Sequence, residues 1–235
     1  MEDEFKKKVG KLFKEQEKDV LSKIDSVTIS DPKAQVDVWM FGRKTWEKRF
    51  RDVGKELIKT AVFVNGLRMM DELPGVSISF DVDNPRAKAW IKRKVFKFAY
   101  EVNETTENQL RNALVDAIDA GSTIKEIQKE VERIFGYAEG FRNERIARTE
   151  TIGSTNYGAY EAIKQSGLVA RKEWIATIDD RTRDSHADLD GEQVELDEDF
   201  SNGLQFPGDP DGPAEEVINC RCTIGHVFPD EDENE

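Results

Sequence analysis

The four side chains best suited to hold a soft metal ion all lie after residue 185: His186, Cys220, Cys222 and His226. Cys220 and Cys222 stand two apart, so on a strand both thiols face one side, and His226 shares that parity. With His186 they make a Cys2His2 set, the donors of a tetrahedral zinc site. The competing reading is two buried thiols and two ordinary histidines, because a single Cys-x-Cys is a weaker signal than paired Cys-x-x-Cys motifs. A disulfide across one intervening residue is geometrically poor, so the cysteines are expected to be free.

A second group precedes the cysteines. Asp179, Asp180, Asp184 and His186 crowd the turn after a predicted strand, where carboxylates hold a divalent cation or serve as a general base. The same composition also makes a plain turn, with Asp side chains bonding local backbone N–H groups and Arg181 and Arg183 balancing the charge. Arg148 and Glu150 form a third group. They are two apart on a predicted helix and cannot share a face, so Arg148 is expected to meet the acidic turn and Glu150 to meet Arg181 or Arg183; the alternative is a transferase-like Arg/Glu site. Pro207-Gly208-Asp209-Pro210 reads as a stiff scaffold for Asn219 to Cys222, since no Gly-rich run leads into a helix with Lys-Ser/Thr.

The elements that must position these residues are mostly helical. Glu2 to Ile24 is an amphipathic helix with Phe5, Val9, Leu12, Phe13, Val20 and Ile24 on its buried side. Ser26 to Pro32 breaks it, with a turn at Asp31-Pro32. A second helical region runs from Lys33 to about Leu73, with interruptions expected at Gly42, Gly54 or Gly66. Val76 to Phe80 alternates as a short strand. Pro85 opens a helix, Glu104 to Ala120 is expected to be a separate one capped by Thr105 or Thr106, and Gly121 stops it. Thr123-Ile-Lys-Glu126 is a capping box for the next helix, and a long helix runs from about Glu139 to Ser166. Arg171 to Ile178 reads as a strand with Trp174 inward, and Cys222 to Phe228 as the last strand.

The chain has 235 residues, 37% hydrophobic and 35% charged, with net charge −13. That balance favours helices with much wet surface and argues against non-specific duplex binding by the whole protein. No run reaches the roughly 20 apolar residues of a membrane span, and the first residues lack the apolar segment of a secretory signal. A soluble, cytoplasmically made protein is expected. One basic run stands out, Arg86, Lys88, Lys92, Arg93, Lys94 and Lys97; it reads as a solvated helix face, or as a contact for DNA or an acidic partner.

Arg148-Thr149-Glu150, Asn156, Gly158, Trp174, Asp179, Arg181-Thr182-Arg183, His186, Gly191, Phe200, Pro207-Gly208-Asp209-Pro210 and Asn219-Cys220-Arg221-Cys222, in this order, resemble the head-morphogenesis domain of tailed phages, the Mu F minor capsid family. The resemblance covers about residues 84–228. It leaves 1–83 as a helical, partner-binding N-terminal arm and 229–235 as an acidic tail. It implies a minor head protein at the portal vertex, inside the virion after assembly in the host cytoplasm, with a part in packaging or delivering genomic DNA. Its implied partners are the portal protein, double-stranded DNA, and scaffold or major capsid protein. The expected fold is α+β, mostly helical, with long helices packed on a small sheet. The expected activity is assembly, not catalysis. Alternatives are a metal-dependent hydrolase using Asp179, His186, Cys220 and Cys222, an ADP-ribosyltransferase-like enzyme using Arg148 and Glu150, and a sequence-independent DNA-binding virion protein.

Overall fold

A computed structural model describes residues 1–26, 32–168 and 171–227. Among these residues eight α-helices, one π turn and three strands follow in chain order: α1 (Glu2–Ser26), α2 (Pro32–Trp39), α3 (Arg43–Glu72), α4 (Pro85–Asp119), α5 (Ile124–Tyr137), the π turn (Ala138–Arg142), α6 (Asn143–Ser166), β1 (Arg171–Ile175), α7 (Asp184–Ala187), β2 (Gln193–Glu195), α8 (Ala214–Val217) and β3 (Thr223–Val227). The fold is α+β and mostly helical, as expected. The Asp31 turn, Phe228 and the acidic tail lie outside the described residues. No helix among those described is long and apolar enough to cross a membrane.

The residues form two compact units, both drawing on chain before and after residue 83. One comprises Met1–Glu2, Glu56–Lys94 and Arg148–Glu235; the other comprises Asp3–Lys55 and Val95–Ala147. Among its described residues the second unit is built of helices joined by turns. The expected stripe of α1, Phe5, Val9, Leu12, Phe13, Val20 and Ile24, is buried in it throughout. Phe5 meets Phe98 edge-on at 5.5 Å, and Phe13 meets Phe50 at the same distance, geometries that aromatic quadrupoles favour. The buried amide of Gln16 donates to Asn103 at 3.1 Å. Buried Arg142, on the π turn, donates to the Val102 carbonyl at 2.7 Å and to Thr106 at 2.8 Å; burial pushes its guanidinium down to about 10.

Several boundaries differ from the sequence reading, each for a physical reason. Gly42 does interrupt the second helical region, but Gly54 and Gly66 lie within α3. Val76 to Phe80 is not a strand: alternation alone is insufficient without a neighbouring strand to pair with. Phe80 is buried instead, and a Cβ on Gly66 would come within 2.4 Å of its ring. Residues 85–119 are one helix, not two. Thr105 and Thr106, expected as caps, turn their hydroxyls back to the carbonyls of Glu101 and Val102, each at 2.9 Å, the mid-helix alternative open to threonine. Gly121 ends α4 as expected. Its φ is +70, and the Ser122 and Gly121 amides reach back to Ala117 and Ile118, the Schellman pattern that an αL glycine permits. Thr123 and Glu126 form the expected capping box.

The first unit contains the sheet, ordered β2-β1-β3 and antiparallel throughout. Trp174 of β1 sits opposite Ile224 of β3, and Lys172 opposite His226. β1 ends at Ile175, three residues before the expected limit. Strand β2, three residues long, has too little alternation to be seen in sequence. In the same unit α6 approaches α3 so closely that a Cβ on Gly158 would lie 2.4 Å from the Val62 carbonyl oxygen. Trp90 stacks on Tyr157 at 3.9 Å, and Phe206 packs 5.8 Å from Tyr157.

Candidate metal centre

The segment Asn219 to Cys222 leads into β3, and every one of its residues is tethered to another part of the first unit. Asn219 adopts φ 63, an αL conformation that Asn tolerates better than most side chains. Its backbone N–H donates to Thr149 at 2.8 Å, and its carbonyl side chain accepts from Arg148 at 2.8 Å. Arg221 forms a two-pronged pair with Asp179. The carbonyl of Cys222 accepts from the Asn156 amide at 3.0 Å. The same amide reaches the Pro207 carbonyl at 2.8 Å, while Thr223 donates back to Asn156 at 3.0 Å. Asn156 thereby joins α6, the 207–210 loop and the start of β3 through one side chain.

The acidic turn is a clamp. Asp179 accepts from the Arg181 amide at 2.8 Å, an Asx turn, and the Asp179 amide donates to Thr182 at 2.9 Å. The Arg221 guanidinium, aided by the Arg181 amide, holds the Asp179 carboxyl well below the usual carboxylate range. Asp180 and Asp184 are exposed. The turn therefore follows the local-bonding reading, with Arg221 and not Arg183 as its main counter-charge. Arg183 donates to the Ile218 carbonyl, and exposed Arg181 lies 3.7 Å from Asp179.

With the turn and the Asn219 segment fixed, three side chains converge. His186 on α7 faces both cysteines through Nδ1, 3.6 Å from Cys220 Sγ and 3.4 Å from Cys222 Sγ. Among the described residues these three make one group whose ligand atoms all lie within 4.8 Å of one another. Relative exposures of 1%, 1% and 3% for His186, Cys220 and Cys222 place the group inside the fold. The thiols are free, as expected. Ring atom Nε2 of His186 lies 2.9 Å from Glu216 of α8. A carboxylate only accepts, so Nε2 donates its proton there and Nδ1 is the ring atom that faces the sulfurs. Glu216 is held in turn by Ser185 at 3.1 Å. Trp174 covers the imidazole edge-on at 5.1 Å and packs on Phe200 at 5.2 Å. The two thiols are driven apart in acidity: a hydrogen bond from Cys220, aided by His186 and the Thr177 amide, holds Cys222 low, toward thiolate, and that same bond together with burial holds Cys220 high, as thiol.

His226 stays outside this group. Its parity matches Cys222, yet it lies four positions along the strand opposite Lys172, about 13 Å away at 3.3 Å per residue. Sharing a face is not sharing a site. It lines a separate groove of about 450 Å³ with Arg68, Glu72, Asn156, Glu173 and Ile175. Glu216 and the bridging role of Asn156 were not legible in advance, because nothing in the local sequence links them to residues 30 or more positions away.

Arg148 and Glu150 do diverge, but to partners other than those expected. Arg148 pairs with Glu2 at 3.3 Å as well as with Asn219. Glu150 faces Lys94 at 3.1 Å, both largely buried, off the axis of a well-directed hydrogen bond. Most of the rest of the basic run is also engaged by acids. Arg86 pairs with buried Glu161 at 3.0 Å, Lys88 with Asp83 at 3.6 Å, Arg93 with Asp211 at 3.0 Å and Lys97 with Glu101 at 3.8 Å; Lys92 is exposed.

The loop at 207–210 closes on α6 through two glycines. A Cβ on Gly153 would stand 2.4 Å from the Gly208 carbonyl oxygen, and Gly208 has φ +80. Asp209 is buried, accepts from the Gln205 and Asp211 amides, and is pushed up in pKa by that burial.

The residues that lock this centre run from Arg148 to Cys222, and comparison with known proteins covers the same stretch. The chain is 32% identical over 151 residues to NAD(+)--arginine ADP-ribosyltransferase EFV of Enterococcus faecalis, covering 62% of this chain and 30% of that protein. It is 24% identical over 239 residues to the uncharacterized protein YqbB of Bacillus subtilis, covering 96% and 78%. It is 27% identical over 131 residues to minor head protein GP7 of Bacillus phage SPP1, covering 53% and 42%. The chain thus spans less than half the length of the first and last of these relatives. No solved structure matches it. The profile described as Phage Mu protein F like protein matches residues 108–225, half of the chain and all of the tethered segment, and the chain belongs to that family.

Proposed function

We propose that the protein acts in phage head morphogenesis as a minor head protein, bound at the portal vertex inside the capsid. The observation that carries this reading is the family match over the tethered segment, together with the similarity to minor head protein GP7. The geometry supports an assembly role over catalysis. Arg148, Thr149, Glu150, Asp179, Arg183 and Asn219 each engage in an internal hydrogen bond or ion pair, which makes a rigid module. The similarity to the ADP-ribosyltransferase extends over 30% of that protein's length.

Within this reading the portal protein is the principal partner, with scaffold or major capsid protein beside it during assembly. Genomic DNA is a weaker partner, because five of the six cations of the α4 run face carboxylates and project little net positive field. The test is to induce the source phage and compare particles made with and without this chain. The reading expects the chain to co-purify with portal-containing heads, and infective heads to fail without it. Normal, DNA-filled heads formed in its absence, with none of the chain in wild-type particles, would contradict it.

A further inference from the structure

We infer that His186, Cys220 and Cys222 form a zinc site that fastens α7 to the approach of β3. The donor set is two sulfurs and one imidazole, the chemistry that selects zinc over hard cations. With Zn–S near 2.3 Å and Zn–N near 2.05 Å, the edge of a tetrahedral site between nitrogen and sulfur is about 3.6 Å; the two N···S separations here are 3.6 and 3.4 Å.

Hydrogen bonding alone satisfies the group poorly. His186 Nδ1 makes one hydrogen bond at most and has two sulfurs against it, so one sulfur is left without it in a site with 3% exposure or less. A divalent ion accepts all three donors at once. The Glu216 carboxylate on Nε2 at 2.9 Å fixes the imidazole tautomer and orientation with Nδ1 inward, the outer-shell arrangement that metal-bound histidines ordinarily have. The surroundings are those of a staple. Trp174 closes one side of the imidazole, Arg221 between the two cysteines is locked to Asp179, and Asn219 is locked to Arg148 and Thr149, so both thiols are aimed before any ion arrives. The described residues supply three of the four ligands of a tetrahedral ion. Glu216 is a positioning residue, acting through His186.

The test uses the full-length chain, reduced and purified without chelator. Zinc is measured by native mass spectrometry, and cobalt(II) is titrated into metal-free protein while the thiolate-to-cobalt charge-transfer and tetrahedral d–d bands are followed. The wild type is expected to carry one zinc per chain and to give both bands. Cys222→Ser should weaken affinity by more than about 100-fold and reduce the charge-transfer band. Glu216→Gln should keep the spectrum while weakening affinity about 10- to 100-fold. If Cys222→Ser does not fold, a mercurial titration of the folded wild type replaces it, with one zinc released as two thiols react. Folded, reduced wild-type protein that neither holds nor takes up zinc or cobalt overturns the assignment, as does a Cys222→Ser chain that folds and binds with unchanged affinity.

Discussion

Lys172 stands two positions before Trp174 on β1 and so shares its face of the sheet. The alternation around Trp174 places it on the other side chains' inward parity, yet nothing in sequence says that its amine is fully buried, donating to the Gln205 backbone and side-chain oxygens at 2.8 and 3.1 Å between the rings of Tyr160 and Phe200. Burial pushes it down to about 8 from an ordinary 10.5. Because the folded-state pKa is the lower one, the unfolded chain binds more protons between these values, and stability rises with pH from about 8 to about 10.5. The rise attributable to this side chain is about 3 kcal/mol at 1.36 kcal/mol per pH unit. Urea unfolding of the wild type and Lys172→Met across that range should give a stability difference that changes by this order; a difference flat with pH would refute the assignment. The same blindness explains Arg148, Glu150 and His226. Spacing gave their faces, but their partners, Asn219, Lys94 and Lys172, are set by tertiary contacts between distant segments.

Among the elements, helices with strong local signals were legible and those defined by neighbours were not. The α1 stripe, the Thr123–Glu126 box and the Gly121 stop are written in a few adjacent residues. The absent strand at 76–80, the unbroken α4 and the short β2 depend on whether another element is there to pair with. Glycine gives a clean test, since one substitution should have opposite signs at two helical positions. Gly158→Ala in α6 drives a methyl into the Val62 carbonyl, and overpacking against backbone costs roughly 1–3 kcal/mol. Gly136→Ala in α5 meets nothing within 4 Å and should stabilise by about 0.5–1 kcal/mol through helix propensity. Denaturant midpoints of the two variants decide it; equal effects would mean that the α3–α6 approach is looser than described.

For the whole molecule, the motif that carries the family resemblance proves to be a set of ties between α6, the acidic turn, the 207–210 loop and β3 in one unit, and this is why it was recognisable while its purpose was not. A catalytic motif and an architectural one can use the same residue types; only the contacts separate them. The most direct test is Glu150→Gln, assayed for melting temperature and for yield of infective particles. Removing this carboxylate strands the buried Lys94 ammonium, and breaking a buried pair costs on the order of 3 kcal/mol. The architectural account predicts a lower melting temperature and a matching fall in particle yield that recovers when the phage is grown at lower temperature. An unchanged melting temperature with particle yield lost at every temperature would contradict it and assign Glu150 a chemical role.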